Sequence, residues 1–131
     1  MEKSKVNLFF DLIKSGLWEQ GVKLLPFQPI DFDALYDLAD GQSVVGLIAA
    51  GLEHIEDMKI TKPMALPFLK KVFSLEGRNQ AMNKFIGGTV QLLRDRGVYT
   101  LLVKGQGVAQ CYARPQWRSA GDVDFFLDAD N

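Results

Sequence analysis

Two aspartates one residue apart, Asp122 and Asp124, open the run Asp122-Val123-Asp124-Phe125-Phe126-Leu127. Aspartate is disfavoured in strands, whereas the aromatic and branched residues around this pair favour them. On a strand, positions i and i+2 share a face with their Cα atoms about 7 Å apart. Carboxylates so placed can converge on one or two hard cations. Mg²⁺ takes oxygen ligands and keeps waters or phosphate oxygens for its remaining positions. Two such ions about 4 Å apart clamp the attacking and leaving oxygens of an in-line phosphoryl displacement. Taken alone, Asp-x-Asp is also what a solvent-facing strand edge with incidental acids presents.

Two further features lie close by in the chain. Lys104-Gly105 follows the apolar run Val98-Tyr99-Thr100-Leu101-Leu102-Val103. Glycine lets a backbone approach a ligand, a turn into a helix presents N–H groups to phosphate, and Lys104 adds a point charge. A plain strand-to-helix turn would read the same way. Arg118 stands three residues before Gly121. A loop arginine there either pairs with the two acids or reaches a triphosphate.

The elements that must position these residues follow from periodicity and punctuation. Val98–Val103 is β-branched and apolar, which predicts a buried strand. Lys104-Gly105-Gln106-Gly107 is a turn, Val108–Ala113 a short helix, Arg114–Gly121 a loop and Asp122–Leu127 a second strand. Before residue 97 the pattern is helical throughout. Val6, Leu8, Phe9, Phe10, Leu12 and Ile13 form a first stripe. Asp31 caps a helix with Phe32, Leu35, Tyr36 and Leu38, ended by Gly41. Ser43 is placed to cap the next, with Val44, Val45, Leu47, Ile48 and Leu52 on its buried side. Pro63 and Pro67 punctuate the chain before a long helix to about Arg96. Its expected stripe is Leu66, Leu69 and Phe73, then Met82, Ile86, Val90 and Leu93. Gly87-Gly88 is expected to kink it or to serve close packing, and Gly97 to end it. The expected fold class is α+β: a helical bundle over residues 1–96, then a strand-helix-strand unit over 97–131.

The order strand, Lys-Gly, helix, Arg-x-x-Gly-Asp-x-Asp, hydrophobic strand is more specific than any of its members. It resembles the uncharacterised nucleotidyltransferase family within the polymerase-β-like nucleotidyltransferase superfamily. The matching residues are Leu101-Leu102-Val103-Lys104-Gly105, Tyr112 and Pro115 in the connection, and Arg118-Ser119-Ala120-Gly121-Asp122-Val123-Asp124-Phe125-Phe126-Leu127. The resemblance is strong over residues 98–128; the helical part before it fits the family without specific motifs. In most of the superfamily the first turn reads Gly-Ser, and here it is Lys-Gly, with Lys104 as a candidate replacement for the serine's phosphate contact. The resemblance implies that residues 97–131 are the first strand-helix-strand unit of a nucleotidyltransferase fold, an incomplete core, and that the activity is transfer of a nucleoside monophosphate from a nucleoside triphosphate to an acceptor hydroxyl, with pyrophosphate released. Asp122 and Asp124 would be the catalytic carboxylates holding Mg²⁺, and Lys104, Gly105, Arg118 and Gly121 would bind the nucleotide. A third carboxylate from a later strand would act as base or complete the metal site. Asp128 shares the strand parity of Asp124 but lies about 13 Å along it, and Asp130 is farther. We therefore expect a truncated form of a longer protein, or a fragment of one, catalytically incomplete alone.

Composition sets the outer limits. With fifteen basic against sixteen acidic residues the net charge is −1, which gives no electrostatic footprint for wrapping nucleic acid. Cys111 is the single cysteine, so no internal disulfide or cysteine-based zinc cluster can form. It reads as a small buried hydrophobe on a helix. His54, the single histidine, lies on a charged helical stretch and reads as a surface or packing residue. No cleavable leader pattern is present, and no apolar stretch approaches the roughly 18 residues of a membrane span. The expected location is cytoplasmic. A competing, non-enzymatic reading is a helical interaction module that pairs its strands with a partner chain, or with a second copy through open sheet edges. Phe9, Phe10, Trp18, Phe27 and Phe32 would supply its contact surface. The acceptor and the base preference are not legible.

Overall fold

A computed structural model describes residues 3–119 and 121–129. Among the described residues, five α-helices and a two-stranded antiparallel sheet give the α+β class expected: α1 (Lys3–Trp18), α2 (Phe32–Gly41), α3 (Val45–Leu52), α4 (Lys62–Arg94), β1 (Val98–Val103), α5 (Gly105–Ala109) and β2 (Asp124–Ala129). The chain forms two compact units, residues 1–74 and 75–131, with the change of unit inside α4. Among the described residues no helix is long and apolar enough to cross a membrane.

The first unit is helical. Leu12, Leu24, Val45 and Ile48 are its most deeply buried large side chains. α1 and α3 pack with their backbones in contact. A β-carbon on Gly16 would fall 1.9 Å from the Leu47 carbonyl oxygen, and one on Gly51 would fall 2.3 Å from that of Leu12. Small residues are required wherever two helices approach this closely. Asp31 caps α2 as its sequence position predicts, its carboxylate accepting from the Ala34 N–H at 3.0 Å. Ser43 does not cap α3: it has φ +59, and Val44 occupies the cap position without a side-chain hydrogen bond. His54 lies past the end of α3 and pairs with the Glu19 carboxylate. The Asp57 carboxylate accepts from the Leu24 and Leu25 N–H groups at 2.8 and 3.0 Å, tying down the loop after α1.

α4 departs from expectation in three ways. It begins at Lys62 and runs through both Pro63 and Pro67. Pro63 sits in the first turn, where its missing N–H has no intrahelical partner to lose. Pro67 gives up one bond a turn later. Its buried face is Phe68, Val72, Leu75, Asn79 and Ile86, whereas Leu66, Leu69 and Phe73 are 48%, 48% and 69% exposed. Both sets have helical spacing, so periodicity alone does not choose between them. Contacts from α2 do: the Tyr36 ring meets Phe68 edge-on at 5.4 Å, and Lys71 pairs with Asp40 at 3.1 Å. Gly87-Gly88 leaves the helix unbroken and has nothing packed against it.

In the second unit β1 pairs antiparallel with β2 in a register running from Val98 opposite Ala129 to Val103 opposite Asp124. β1 has the bounds expected, and Gly97 turns the chain into it at φ +77. β2 begins at Asp124, two residues later than expected, so Asp122 lies in the segment leading into the strand. α5 ends at Ala109, so Cys111 falls beyond it and is exposed, not buried.

Candidate active site

The ladder fixes where the candidate residues meet. Val103 opposite Asp124 is its last pair. The turn that leaves β1 and the acids that open β2 are therefore at the same end of the sheet. The approach is close: a β-carbon on Gly105 would lie 3.2 Å from the Asp122 carbonyl oxygen. α5 then folds back on β1, with Gly107 so near the strand that a β-carbon would fall 2.8 Å from the Leu102 carbonyl oxygen.

Lys104 carries the backbone strain of this corner. Its φ of +57 and ψ of −152 lie in a region that side-chain-bearing residues rarely occupy. A residue is held there only when its surroundings over-determine the conformation. The side chain it presents is exposed. α5 has only five residues, too short for a helix dipole to contribute much, since that effect sums over aligned peptide units.

Arg118 comes from the 3-10 turn Pro115–Trp117 that precedes β2. Its guanidinium lies over the Tyr112 ring at 5.6 Å. Nη1 is buried without a hydrogen-bond partner among the described residues. A guanidinium N–H in that state favours the arrival of an anionic oxygen. The neighbouring Arg114 stacks on Trp117 at 4.5 Å.

Asp122 is exposed and Asp124 half-buried. Directly opposed residues share a face of an antiparallel pair, so Asp124 and Val103 face the same side, with Leu101, Phe126, Tyr99 and Asp128 farther along it. Asp128 remains about 13 Å from Asp124 by strand rise. Asp130 lies outside the described residues. No third histidine, cysteine or carboxylate joins a metal-binding group among the described residues. Gly121 is exposed in the lead-in to β2.

Sequence reasoning missed the residues that hold this corner together. Asn79 on α4 is buried and donates to the carbonyl oxygens of Gln116 and Arg118 at 2.7 and 2.9 Å. Gln106 on α5 donates to Asn79 Oδ1 at 3.2 Å and to Asn83 Oδ1 at 3.0 Å. Trp117 Nε1 donates to Glu76 at 2.7 Å. The available signal was Glu76, Asn79 and Asn83, three polar residues at steps of three and four on a helix whose other repeating positions are apolar.

Strand, tight turn, short helix, arginine-bearing loop and acid-headed strand, closed into one antiparallel corner, define the opening unit of a nucleotidyltransferase fold. The description Uncharacterised nucleotidyltransferase belongs to a family model that matches residues 28–131, and the chain belongs to that family. Its function is accordingly nucleotidyltransferase-like. No curated protein and no solved structure matches the chain.

Proposed function

We propose that this chain binds a nucleoside triphosphate at the β1–β2 corner and serves the transfer of its nucleoside monophosphate to an acceptor hydroxyl. In that reaction the acceptor oxygen bonds to the α-phosphorus, the bond to the bridging oxygen breaks, and pyrophosphate leaves. The observation that carries the reading is the approach of Gly105 to the Asp122 backbone. It puts a strained, lysine-bearing turn and two neighbouring carboxylates at one end of one sheet.

The donor set suits magnesium, which is commonly held by one or two carboxylates plus substrate phosphates. Asp122 and Asp124 would hold it, and bound there it would neutralise charge on the triphosphate. Lys104 places its ammonium against the β- and γ-phosphates. Gly105 lets the backbone come close to them. Arg118 offers the unpartnered Nη1 to a phosphate oxygen, and Gly121 leaves room beside the acids.

The test is thermal unfolding of the purified chain with Mg²⁺ and ATP. Ligand at a hundred times its Kd stabilises by about 2.7 kcal/mol. The shift should vanish without Mg²⁺ and in both Asp122→Ala and Asp124→Ala. An unchanged shift in either variant would remove that carboxylate from the site.

A second reading has its own observation. Leu101 and Phe126, paired across the strands, are 63% and 69% exposed, with Tyr99 at 57% beside them. That apolar face supports a module whose strands pair with a partner or a second copy. Of the aromatics that reading relies on, Phe10 and Trp18 are exposed, whereas Phe9 and Phe32 are buried. Concentration-dependent association lost in Phe126→Glu, without any response to ATP, would favour it.

A further inference from the structure

We propose that Asn79 is a positioning residue of the triphosphate site, a buried side chain that bridges the Lys104–Gly105 turn and the Arg118 segment. The inference rests on the nucleotide-binding reading above and goes beyond it to a residue outside the motif.

Asn79 is 3% exposed. Its amide nitrogen has two hydrogens, and each meets a main-chain carbonyl of the segment that carries Arg118, at Gln116 and at Arg118 itself. Carbonyl oxygens only accept, so the side chain must turn its NH₂ toward them and its own oxygen away. That oxygen receives the amide of Gln106, the residue after Gly105. Gln106 is itself 4% exposed. One buried amide therefore reaches both arms that would embrace the phosphates. Glu76, one turn earlier on the same helix, adds a grip on Trp117.

A site assembled from two loops loses affinity when either arm wanders, because the ordering cost is then met at binding. Buried hydrogen-bonded networks remove that cost in advance. The turn meets Asp122 only through its backbone, and none of these hydrogen bonds involves the Asp122 or Asp124 carboxylate. Loss of Asn79 should therefore weaken triphosphate binding and spare the cation.

The experiment uses the whole chain with Asn79→Asp, nearly isosteric but without donors, and Asn79→Ala. Circular dichroism establishes folding, and calorimetry reads two affinities, ATP with Mg²⁺ and Mn²⁺ alone. The expected result is ATP affinity down about tenfold, the equivalent of a single hydrogen-bonding contribution, with Mn²⁺ affinity unchanged. ATP affinity retained in folded Asn79→Asp would overturn the proposal. So would a parallel fall in ATP and Mn²⁺ affinity, which marks a merely structural residue. If neither Asn79 variant folds, Gln106→Glu, which removes the donor that ties the turn to Asn79 and Asn83 and leaves the Asn79 bonds to the Arg118 segment in place, must give the same split or the proposal fails. A wild-type chain that binds Mn²⁺ but not ATP would instead overturn the nucleotide reading, and this inference with it.

Discussion

Replacing Lys104 by glycine should make the protein more stable and a poorer nucleotide binder. With φ +57 and ψ −152, Lys104 occupies backbone space that costs a side-chain-bearing residue about 1–3 kcal/mol. Glycine enters it freely but costs the folded state roughly 0.5–1 kcal/mol in chain entropy. The balance is a gain of about 1 kcal/mol, which in a domain of this size raises Tm by roughly 3–6 °C. The same change deletes the ammonium. A charge-assisted hydrogen bond contributes about 1.5–3 kcal/mol, so ATP affinity should fall by about ten- to a hundredfold. Lys104→Ala separates the two effects, since it removes the charge and keeps the strain: affinity should fall equally with Tm near wild type. The assays are thermal unfolding without ligand and calorimetric ATP titration with Mg²⁺. If Lys104→Gly melts no higher than Lys104→Ala, the strain argument is refuted. If Lys104→Gly binds ATP as the wild type does, the ammonium does not meet phosphate.

Other perturbations test the scaffold and the site separately. Gly16→Ala drives a β-carbon into the Leu47 backbone and should cost about 3 kcal/mol in urea unfolding. Gly41→Ala, at a position with nothing within 4 Å, should be neutral or stabilise by about 0.5 kcal/mol; equal effects at the two sites would sink the close-packing account of α1 and α3. Burial alone would raise the pKa of Asp57, but hydrogen bonds from Leu24, Leu25 and its own N–H, with the charge of Lys23, hold it below the ordinary 3.8. A group with a depressed folded pKa contributes stability above its unfolded value and loses it as pH falls through the folded one. The wild type should thus lose stability below pH 3.8 more steeply than Asp57→Asn, and parallel acid limbs in the two proteins would contradict this. Arg118→Met should lower ATP affinity about tenfold while leaving Tm unchanged or raised, because it removes a buried N–H that has no partner among the described residues; a lower Tm would mean that this N–H is paired within the folded protein.

The motif was legible because its chemistry is local. Val98–Val103 announces a strand by composition, and Lys104-Gly105 announces a turn by the glycine that follows the apolar run. Asp122 and Asp124 stand out as acids in a β context. The boundaries were less legible for a physical reason. Val123 and Asp124 carry the same residue types whether or not the ladder has begun, and only the last pairing, Val103 with Asp124, decides where β2 starts. In α4 two apolar stripes compete, and the choice between Phe68 and Leu69 is made by Tyr36 in another helix. The support behind the site was legible only as polar residues at helical steps on α4, without their partners. Asn79 lies 37 and 39 residues from the carbonyls it holds, and a polar residue on an otherwise apolar helical face reads equally as a solvated position. Its burial reverses that reading: a 3% exposed amide is tolerated only because every donor it has is matched. A position where local pattern and tertiary environment disagree is where function or strain is most often met. Here two such positions, strained Lys104 and buried Asn79, belong to the same corner. Lys104 brings charge to it, and Asn79 supplies its order.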